Sequence, residues 1–170
     1  VTDVDLALWR GAYRINGLEI IKVDGKVPVP FVNAPLIDLA VSWHSLWYDH
    51  AVVAKVRFIK PEVNFVDGGA NKQASQTGKG TDWREQLSKL APITLDEVRI
   101  EEGKIAFHNF SSKPAVKIDA TDVNASFYNL TNVVDVKGKR DARFDGKALL
   151  QGQAPLEASA TFDPLSNFEN

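Results

Sequence analysis

Apolar and polar positions alternate most regularly between Leu36 and Val66, and this stretch predicts two long strands joined by a short corner. A period of two places successive side chains on opposite faces of a sheet, so one face is apolar. The corner contains Leu46, Trp47 and Tyr48 and is therefore not a polar two-residue turn. The predicted apolar face consists of Ile37, Leu39, Val41 and Trp43 before the corner and Val52, Ala54, Val56 and Phe58 after it.

A break in this alternation is predicted where Pro61 interrupts the second strand. Proline removes a backbone donor from the ladder and favours an edge or a bulge. Beyond it the apolar positions change to odd numbers, at Val63 and Phe65, as a one-residue bulge requires. The same change of register is predicted between Ala120 and Val123.

The other apolar runs also alternate and predict further strands. Turns are predicted at Asn16-Gly17, where both residues tolerate positive φ, and at Glu101-Glu102-Gly103. One strand is predicted over 142–150 and the next over 154–162, with small residues on their inner face. The fold class is therefore predicted to be mainly β, a single domain over 1–170 built on a curved antiparallel sheet that forms a groove or half-barrel of long strands.

Two segments differ from the strands. Residues 67–80 are polar and glycine-rich and are predicted to be flexible, because they have little to bury. One short helix is predicted over 82–90, with Asp82 as its cap and Pro92 beyond its end. Its apolar face, which is predicted to close one end of the sheet by core packing or to lie inside a groove, consists of Trp83, Leu87 and Leu90. A weak internal repeat relates 1–66 to 93–163.

Composition narrows the classes of protein that this chain can belong to. The 170 residues are 44% hydrophobic and 25% charged, as in an ordinary folded domain, and the net charge of -2 gives no basic footprint for nucleic acid. No apolar run approaches the roughly eighteen residues of a membrane-spanning helix. Cysteine is absent, which excludes disulfides and thiolate chemistry. Methionine is absent too, so we expect a piece of a longer protein.

The residues that would indicate an enzyme do not form a recognisable pattern. His44, His50 and His108 are scattered without metal-ligand spacing, and no nucleophile elbow is present. His44 and His108 fall on the polar faces of their predicted strands, so we expect surface histidines there. Gly78-Lys79-Gly80 lacks the spacing of a phosphate-binding loop. Carboxylates fall at turns or on polar strand faces, and only a pair that the fold brings together would indicate a hydrolase. We therefore expect no enzymatic activity, no metal and no cofactor.

A series of short phrases along the whole chain resembles the AsmA-like proteins of Gram-negative bacteria, and the phrases occur in that family's order. They are VDLALWRGAYRINGL at 4–18, KVPVPF at 26–31, APLIDL at 34–39, KPEVNFV at 60–66, DWR at 82–84, GKIAFHNF at 103–110, NLT at 129–131 and FDPL at 162–165.

The resemblance implies a periplasmic location and a role with lipid. AsmA-like proteins usually have one N-terminal inner-membrane helix and a long periplasmic body, which is a repeating β-groove with an apolar inside. Larger relatives are thought to carry phospholipid between the two membranes along that groove. The chain is then expected to be the first part of that body, beyond an anchor that it does not include, and to support outer-membrane lipid homeostasis. The family marks no catalytic residue.

Two functions follow from these observations. In the first, the apolar face binds or conducts the acyl chains of phospholipid, with Ile37, Leu39, Val41, Trp43, Val52, Val56 and Phe58 as the lipid-facing candidates. In the second, the domain is a scaffold for envelope assembly that binds protein partners by strand addition at a sheet edge. An open apolar face favours lipid, whereas a closed core with exposed, uncharged edges favours the scaffold.

Overall fold

The computed structural model describes residues 3–7, 11–23, 27–48, 52–69, 74–77, 93–131 and 141–164. Within them the chain forms nine strands and one short helix, so the predicted mainly β fold class is confirmed. The elements are β1 (Asp3–Ala7), β2 (Ala12–Ile20), β3 (Val32–Val41), α1 (Trp43–Tyr48), β4 (Val52–Ile59), β5 (Glu62–Asp67), β6 (Ile93–Asn109), β7 (Val116–Thr131), β8 (Ala142–Leu150) and β9 (Ala154–Phe162). The bounds of β8 and β9 are those predicted from the sequence.

All nine strands belong to one sheet, in the order β1-β2-β3-β4-β6-β7-β8-β9. β5 continues the line of β4, because both lie between β3 and β6 and pair with each of them. We use the name α1 end for the end of the strands at which β3 stops and β4 starts. The opposite end of the strands is called the far end. β1 and β9 lie at the two sides of the sheet.

The sheet is not antiparallel throughout, which corrects the prediction. β4 and β5 both run parallel to β6. A parallel pair needs a crossover of about a dozen residues or more, and the connection from Asp67 to Ile93 exceeds that length. The remaining pairs are antiparallel, and the curved groove of the prediction stays a prediction.

Helix α1 occupies the predicted corner between the two long strands. Ser42 begins it, since its backbone N–H donates to the Val53 carbonyl at 2.8 Å while its Oγ accepts from the Ser45 N–H at 3.3 Å. A serine in this position supplies an acceptor for an otherwise unpaired N–H of the first turn. Trp43 is therefore the first residue of a helix, and its predicted place in the apolar face of a strand is wrong.

Two predicted turns lie inside strands instead. Gly17 lies within β2 and Glu101-Glu102-Gly103 within β6. Gly17 has φ 66° and Glu102 has φ 51°, so the left-handed backbone that the sequence signals is present. It bends a continuing strand rather than reversing the chain, because the neighbouring strands pair on both sides of it.

A bulge in β7 keeps its apolar side chains on one face of the sheet. β8 alternates regularly, so Phe144 and Leu150 project from the same face. Their partners in β7, Phe127 and Ala120, are an odd number of residues apart. The alternation in β7 therefore breaks once between them, next to Asp122, whose φ is 50°. This confirms the register change that the sequence predicts before Val123.

The same break occurs in the neighbouring strands. Ile100 and Ile105 are both partners of residues on the apolar face, and Glu102 lies between them. Lys60, with φ 53°, breaks the line of β4 and β5 beside Glu102, and the Lys60 Nζ lies 3.3 Å from a Glu102 carboxylate oxygen. We call Lys60, Glu102 and Asp122 the kink row. The change of apolar positions that the sequence predicts past Pro61 is confirmed. The predicted one-residue bulge is wrong, because Ile59 and Glu62 keep the same spacing as their β6 partners Glu101 and Lys104.

Small side chains dominate the buried core of the described residues. Its apolar members are Ala34, Ile37, Ala54, Val66, Ala106, Val123, Ala125 and Ala142. Larger apolar side chains of the sheet are mostly half-buried, as expected for a single layer with one face only partly covered. The predicted helix at 82–90, with Trp83, Leu87 and Leu90, lies outside the described residues.

Candidate functional site

One face of the sheet carries apolar rows that cross almost every strand. Direct cross-strand partners project from the same face, so the register defines each row. Nearer the α1 end the first row contains Tyr13, Leu39, Val56, Val98, Phe127, Phe144 and Ala160. The second contains Ile15, Ile37, Phe58, Ile100, Ala125, Gly146 and Ala158. We call this side of the sheet the apolar face.

The apolar face continues beyond the kink row to the far end. A third row runs through Ile20, Val32, Val63, Ile105, Ala120, Leu150 and Ala154. A fourth, shorter row contains Phe65, Phe107 and Ile118. Because the kink row reverses the alternation, the apolar residues keep to one face over the full length of the strands.

The far half of this face is open to solvent. Ile118 is 46% exposed, Ile105 is 41% exposed and Leu156 is 49% exposed, although all three are large aliphatic residues. We call the following set the open patch: Ile105, Phe107, Ile118, Leu150 and Leu156. Monomeric soluble proteins seldom leave contiguous large apolar side chains in water without a binding role.

The structure places the predicted lipid-facing residues of the strands in the less exposed half of the face, nearer the α1 end. Ile37 is a direct partner of Phe58, and Leu39 is a direct partner of Val56, as the predicted facing of the two strands requires. Ile37 is only 5% exposed, and the strand members Leu39, Val41, Val52, Val56 and Phe58 are half-buried. Whether they contact lipid stays a prediction, and the most exposed apolar surface lies at the open patch.

The opposite face of the sheet near the α1 end is charged. Arg14, Asp38 and Arg57 are direct partners on three adjacent strands. Arg14 Nε donates to Asp38 Oδ1 at 2.8 Å, and Arg57 Nη2 donates to Asp38 Oδ2 at 2.7 Å. These two hydrogen bonds, with that from Arg14 the larger cause, lower the pKa of the Asp38 carboxyl below its usual value.

Further ion pairs extend the charged face across β6. Arg99 Nη2 lies 2.5 Å from Glu97 Oε1, and Lys55 Nζ lies 4.0 Å from Glu97 Oε2. The small side chains of Ala12 and Ala40 leave a shallow depression of about 590 Å³ among these charges. An acyl chain would gain nothing here, because it would have to displace the hydration of paired charges.

A buried polar cluster lies on the side of the sheet opposite the open patch. Asn64 Oδ1 is 3.0 Å from His108 Nε2, and the Asn64 backbone carbonyl accepts from Gln76 Nε2 at 2.9 Å. Gln76 also pairs with Val66 through two backbone hydrogen bonds of 2.9 and 2.7 Å. These contacts hold part of the predicted flexible segment, residues 74–77, against the edge of β5. The other residues between 70 and 80 lie outside the described part.

Burial controls the protonation of His108 in this cluster. The side chain is 9% exposed and stacks on Phe110, with ring centroids 5.2 Å apart. Desolvation is the main cause that lowers the pKa of its imidazole, and the charge of Lys117 adds to it. His108 is therefore neutral at pH 7 and serves as a hydrogen-bond partner for Asn64. The sequence indicated a surface histidine there, and this is wrong.

Strand β9 forms a side of the sheet with both of its faces exposed. Among the described residues, β8 is the strand that pairs with it. Ala154 to Thr161 are all exposed, and Glu157 is the one charged residue of the strand. A long strand with little charge at the side of a sheet can pair through its backbone with an incoming strand.

The described residues contain no cluster of side chains typical of metal binding. No group of three or more potential ligand side chains converges among them. No helix among them has the length and hydrophobicity needed to cross a membrane.

The residues that sequence reasoning missed are those of the open patch. Their alternation was visible, but their exposure depends on what other parts of the chain cover.

Comparison with known proteins adds no family assignment. No protein-family model matches the chain, and no curated protein matches it. The likeness to AsmA-like proteins rests on the short phrases in the sequence alone and stays a prediction.

Proposed function

We propose that this chain is a lipid-binding domain whose apolar face accommodates the acyl chains of phospholipid. The observation that carries the proposal is the open patch, where five large apolar side chains lie on one face in water. Each acyl methylene that such a surface removes from water contributes about 0.8 kcal/mol. An acyl chain needs no hydrogen bonds, and the side chains of the third and fourth apolar rows offer none.

The arrangement of the rows supports a track rather than a single pocket. The third row crosses seven strands from Ile20 to Ala154 without a polar member. The rows nearer the α1 end continue it beyond the kink row. In the setting that the resemblance implies, the domain lies in the periplasm, is tethered to the inner membrane and supports outer-membrane lipid homeostasis.

The proposal is tested by native mass spectrometry of the purified protein with added phospholipid. Ile118→Asp and Leu156→Asp, alone and together, introduce a carboxylate at exposed positions of the open patch and so should leave the fold intact. We expect the double variant to bind phospholipid about tenfold less tightly. Each acyl methylene that no longer contacts the patch loses about 0.8 kcal/mol of binding free energy.

The matched control is Ser159→Asp, which places the same charge on β9 but on its other face. This variant should bind lipid like the unchanged protein. The proposal fails if the delipidated protein takes up no phospholipid, or if the double variant binds as much as the control.

A second candidate function is strand addition at β9, and the exposed edge with its single charged residue favours it. A synthetic peptide with the β9 sequence should then bind and slow hydrogen exchange of the β9 amides. An N-methylated copy of the peptide is the control, because it lacks the backbone donors that a ladder requires. Unchanged exchange with the unmodified peptide would exclude this function for β9.

A further inference from the structure

The most exposed aromatic side chains of the described residues lie together on helix α1. Trp47 is 72% exposed and Tyr48 is 75% exposed. His44 stacks on Tyr48, with ring centroids 4.7 Å apart, and this contact orders the exposed ring. The helix sequence WHSLWY contains no Asp, Glu, Lys or Arg, and it includes the histidine His44. The α1 end therefore presents a mainly aromatic tip to its surroundings.

Ordinary packing within the described sheet does not explain this tip. Both rings are among the largest apolar groups of the chain, and leaving them in water forgoes most of their burial free energy. The six-residue helix is held in place by its start, where Ser42 and Ser45 hydrogen-bond and Ser42 binds Val53. Trp43 lies against the backbone at Gly11 and anchors the base of the helix. The helix thus holds Trp47 and Tyr48 outward on a fixed support.

We propose that α1 docks at the interface of a lipid bilayer through Trp47 and Tyr48. Trp and Tyr combine a large apolar ring with a polar N–H or O–H group, and both concentrate at the boundary between headgroups and acyl chains. Because α1 has no Asp, Glu, Lys or Arg, it places no carboxylate, ammonium or guanidinium group in that boundary. The Tyr48 hydroxyl and the Trp47 indole N–H can bind headgroup or water oxygens there.

The charges behind the tip suit a surface that contains anionic lipid. Lys55 lies three residues beyond the start of β4, about 10 Å from the α1 end along the strand. Its side chain is 63% exposed, whereas its partner Glu97 is 20% exposed, so the cation is the outermost charge of the pair. Basic side chains near a membrane surface are attracted to anionic headgroups.

Docking in this position would place the apolar face beside the lipid. Val41 and Ala54 are direct partners at the α1 end of that face, immediately before and after the helix. Lipid leaving the bilayer at α1 would therefore meet the first apolar rows of the sheet. This consequence for lipid loading rests on the proposed function, whereas the docking itself does not.

Vesicle flotation of the full chain tests the docking. The vesicles contain phosphatidylethanolamine and phosphatidylglycerol, with phosphatidylcholine vesicles for comparison. We expect Trp47→Ser/Tyr48→Ser to bind about tenfold or more weakly than the unchanged protein, because two aromatic rings no longer enter the interface. We also expect the unchanged protein to bind the neutral phosphatidylcholine vesicles more weakly than the anionic vesicles. Circular dichroism checks that the variants fold.

The matched control removes equally exposed apolar residues from the other end of the sheet. Ile21→Ser/Val23→Ser replaces side chains that are 61% and 94% exposed at the far end. This variant should float like the unchanged protein. Brominated lipid should quench tryptophan fluorescence in the unchanged protein. This quenching should be much smaller in Trp47→Phe, because the tryptophan that enters the bilayer is then absent. The inference is overturned if the unchanged protein does not float, if the control loses as much binding, or if the α1 variant loses self-association instead of vesicle binding.

A second measurement separates this inference from the proposed function. Uptake of a short-chain phosphatidylcholine, added below its micelle concentration, needs the apolar face but no bilayer. The α1 double variant should retain this uptake while it loses flotation. A protein that floats through α1 but takes up no short-chain lipid would leave the docking intact and overturn the proposed function.

Discussion

Individual glycines in this sheet are required for two separable reasons, backbone conformation and space. Gly11 has φ 61°, and a Cβ there would lie 2.3 Å from the Val41 carbonyl oxygen. Gly152 has φ 68°, but a Cβ there would meet nothing within 4 Å. Both glycines have a left-handed backbone, so the difference between them is the close approach of Gly11 to the end of β3. At this point the Val41 N–H also donates to the Gly11 carbonyl at 2.7 Å.

We expect Gly152→Ala to lower the free energy of unfolding by about 1–2 kcal/mol, the cost of a left-handed backbone for a residue with a Cβ. Gly11→Ala should lower it by more, because the added methyl group also displaces the β3 backbone. Urea unfolding measures both. Equal losses in the two variants would show that the close approach at Gly11 does not contribute.

At the scale of the strands, the continuous apolar face depends on the kink row, which involves several neighbouring strands. The kink row lies across adjacent strands, so that each reverses its side-chain alternation at a corresponding level. Without it, the apolar residues at the far end would lie on the other face. Ile105 and Ile118 then could not share a face with Phe58 and Phe144, and the apolar face would end halfway along β6 and β7.

The role of a left-handed residue in β7 can be tested at Asp122, which has φ 50°. We expect Asp122→Val to lower the free energy of unfolding by about 1–2 kcal/mol, because β-branched residues are strained at positive φ. Asp122→Gly should be nearly neutral, since glycine adopts this conformation readily. Urea unfolding of the two variants measures the difference. A well-tolerated valine would mean that β7 does not need the bulge at this residue.

Across the whole molecule, the two sides of the sheet are covered differently. At the far half, the carbonyls of Val29 and Pro30 and the segment 74–77 hydrogen-bond on the side that carries Asn64 and His108, while the open patch lies on the other side. Phe31 packs against Phe65 of the apolar face. The buried polar cluster thus holds the covering segments in place. Its stability depends on the protonation of His108, which sits among Lys117, Lys104, Glu62 and Asp119.

The depressed pKa of His108 predicts that the protein loses stability as the pH falls. The unfolded chain binds a proton near pH 6.5, the usual pKa of histidine, whereas the folded chain resists protonation until lower pH. The free energy of unfolding should therefore decrease below about pH 6.5. Urea unfolding at pH 7.5 and 5.5 measures the change. Above pH 4.5 the Asp38 carboxyl, with its lowered pKa, should not contribute.

His108→Gln should reduce this pH dependence, because glutamine does not titrate. His44→Gln is the control, since His44 is exposed on α1, and it should keep the dependence of the unchanged protein. If His108→Gln retains the full pH dependence, another group is responsible for it.

Sequence reasoning located the strands and some of their partners because alternation is a local property. The bounds of β8 and β9, the facing of Ile37 and Phe58, and the changes of alternation near Pro61 and Val123 all follow from the spacing of apolar residues. The same spacing identified an apolar face. The turn predicted at Gly17 was wrong because positive φ is compatible with both a reversal and a bulge, and only the neighbouring strands distinguish them.

Long-range contacts determined the remaining features. The parallel pairing of β4 with β6 depends on the path of a long connection, and the open patch depends on which surfaces other segments cover. A helix at Trp43 required the hydrogen bonds of Ser42 to a distant strand as well as to its own first turn. The sequence alone therefore determined which residues alternate and which positions tolerate positive φ, since both are local. The tertiary structure decided which apolar residues stay in water, because exposure is a property of the assembled sheet.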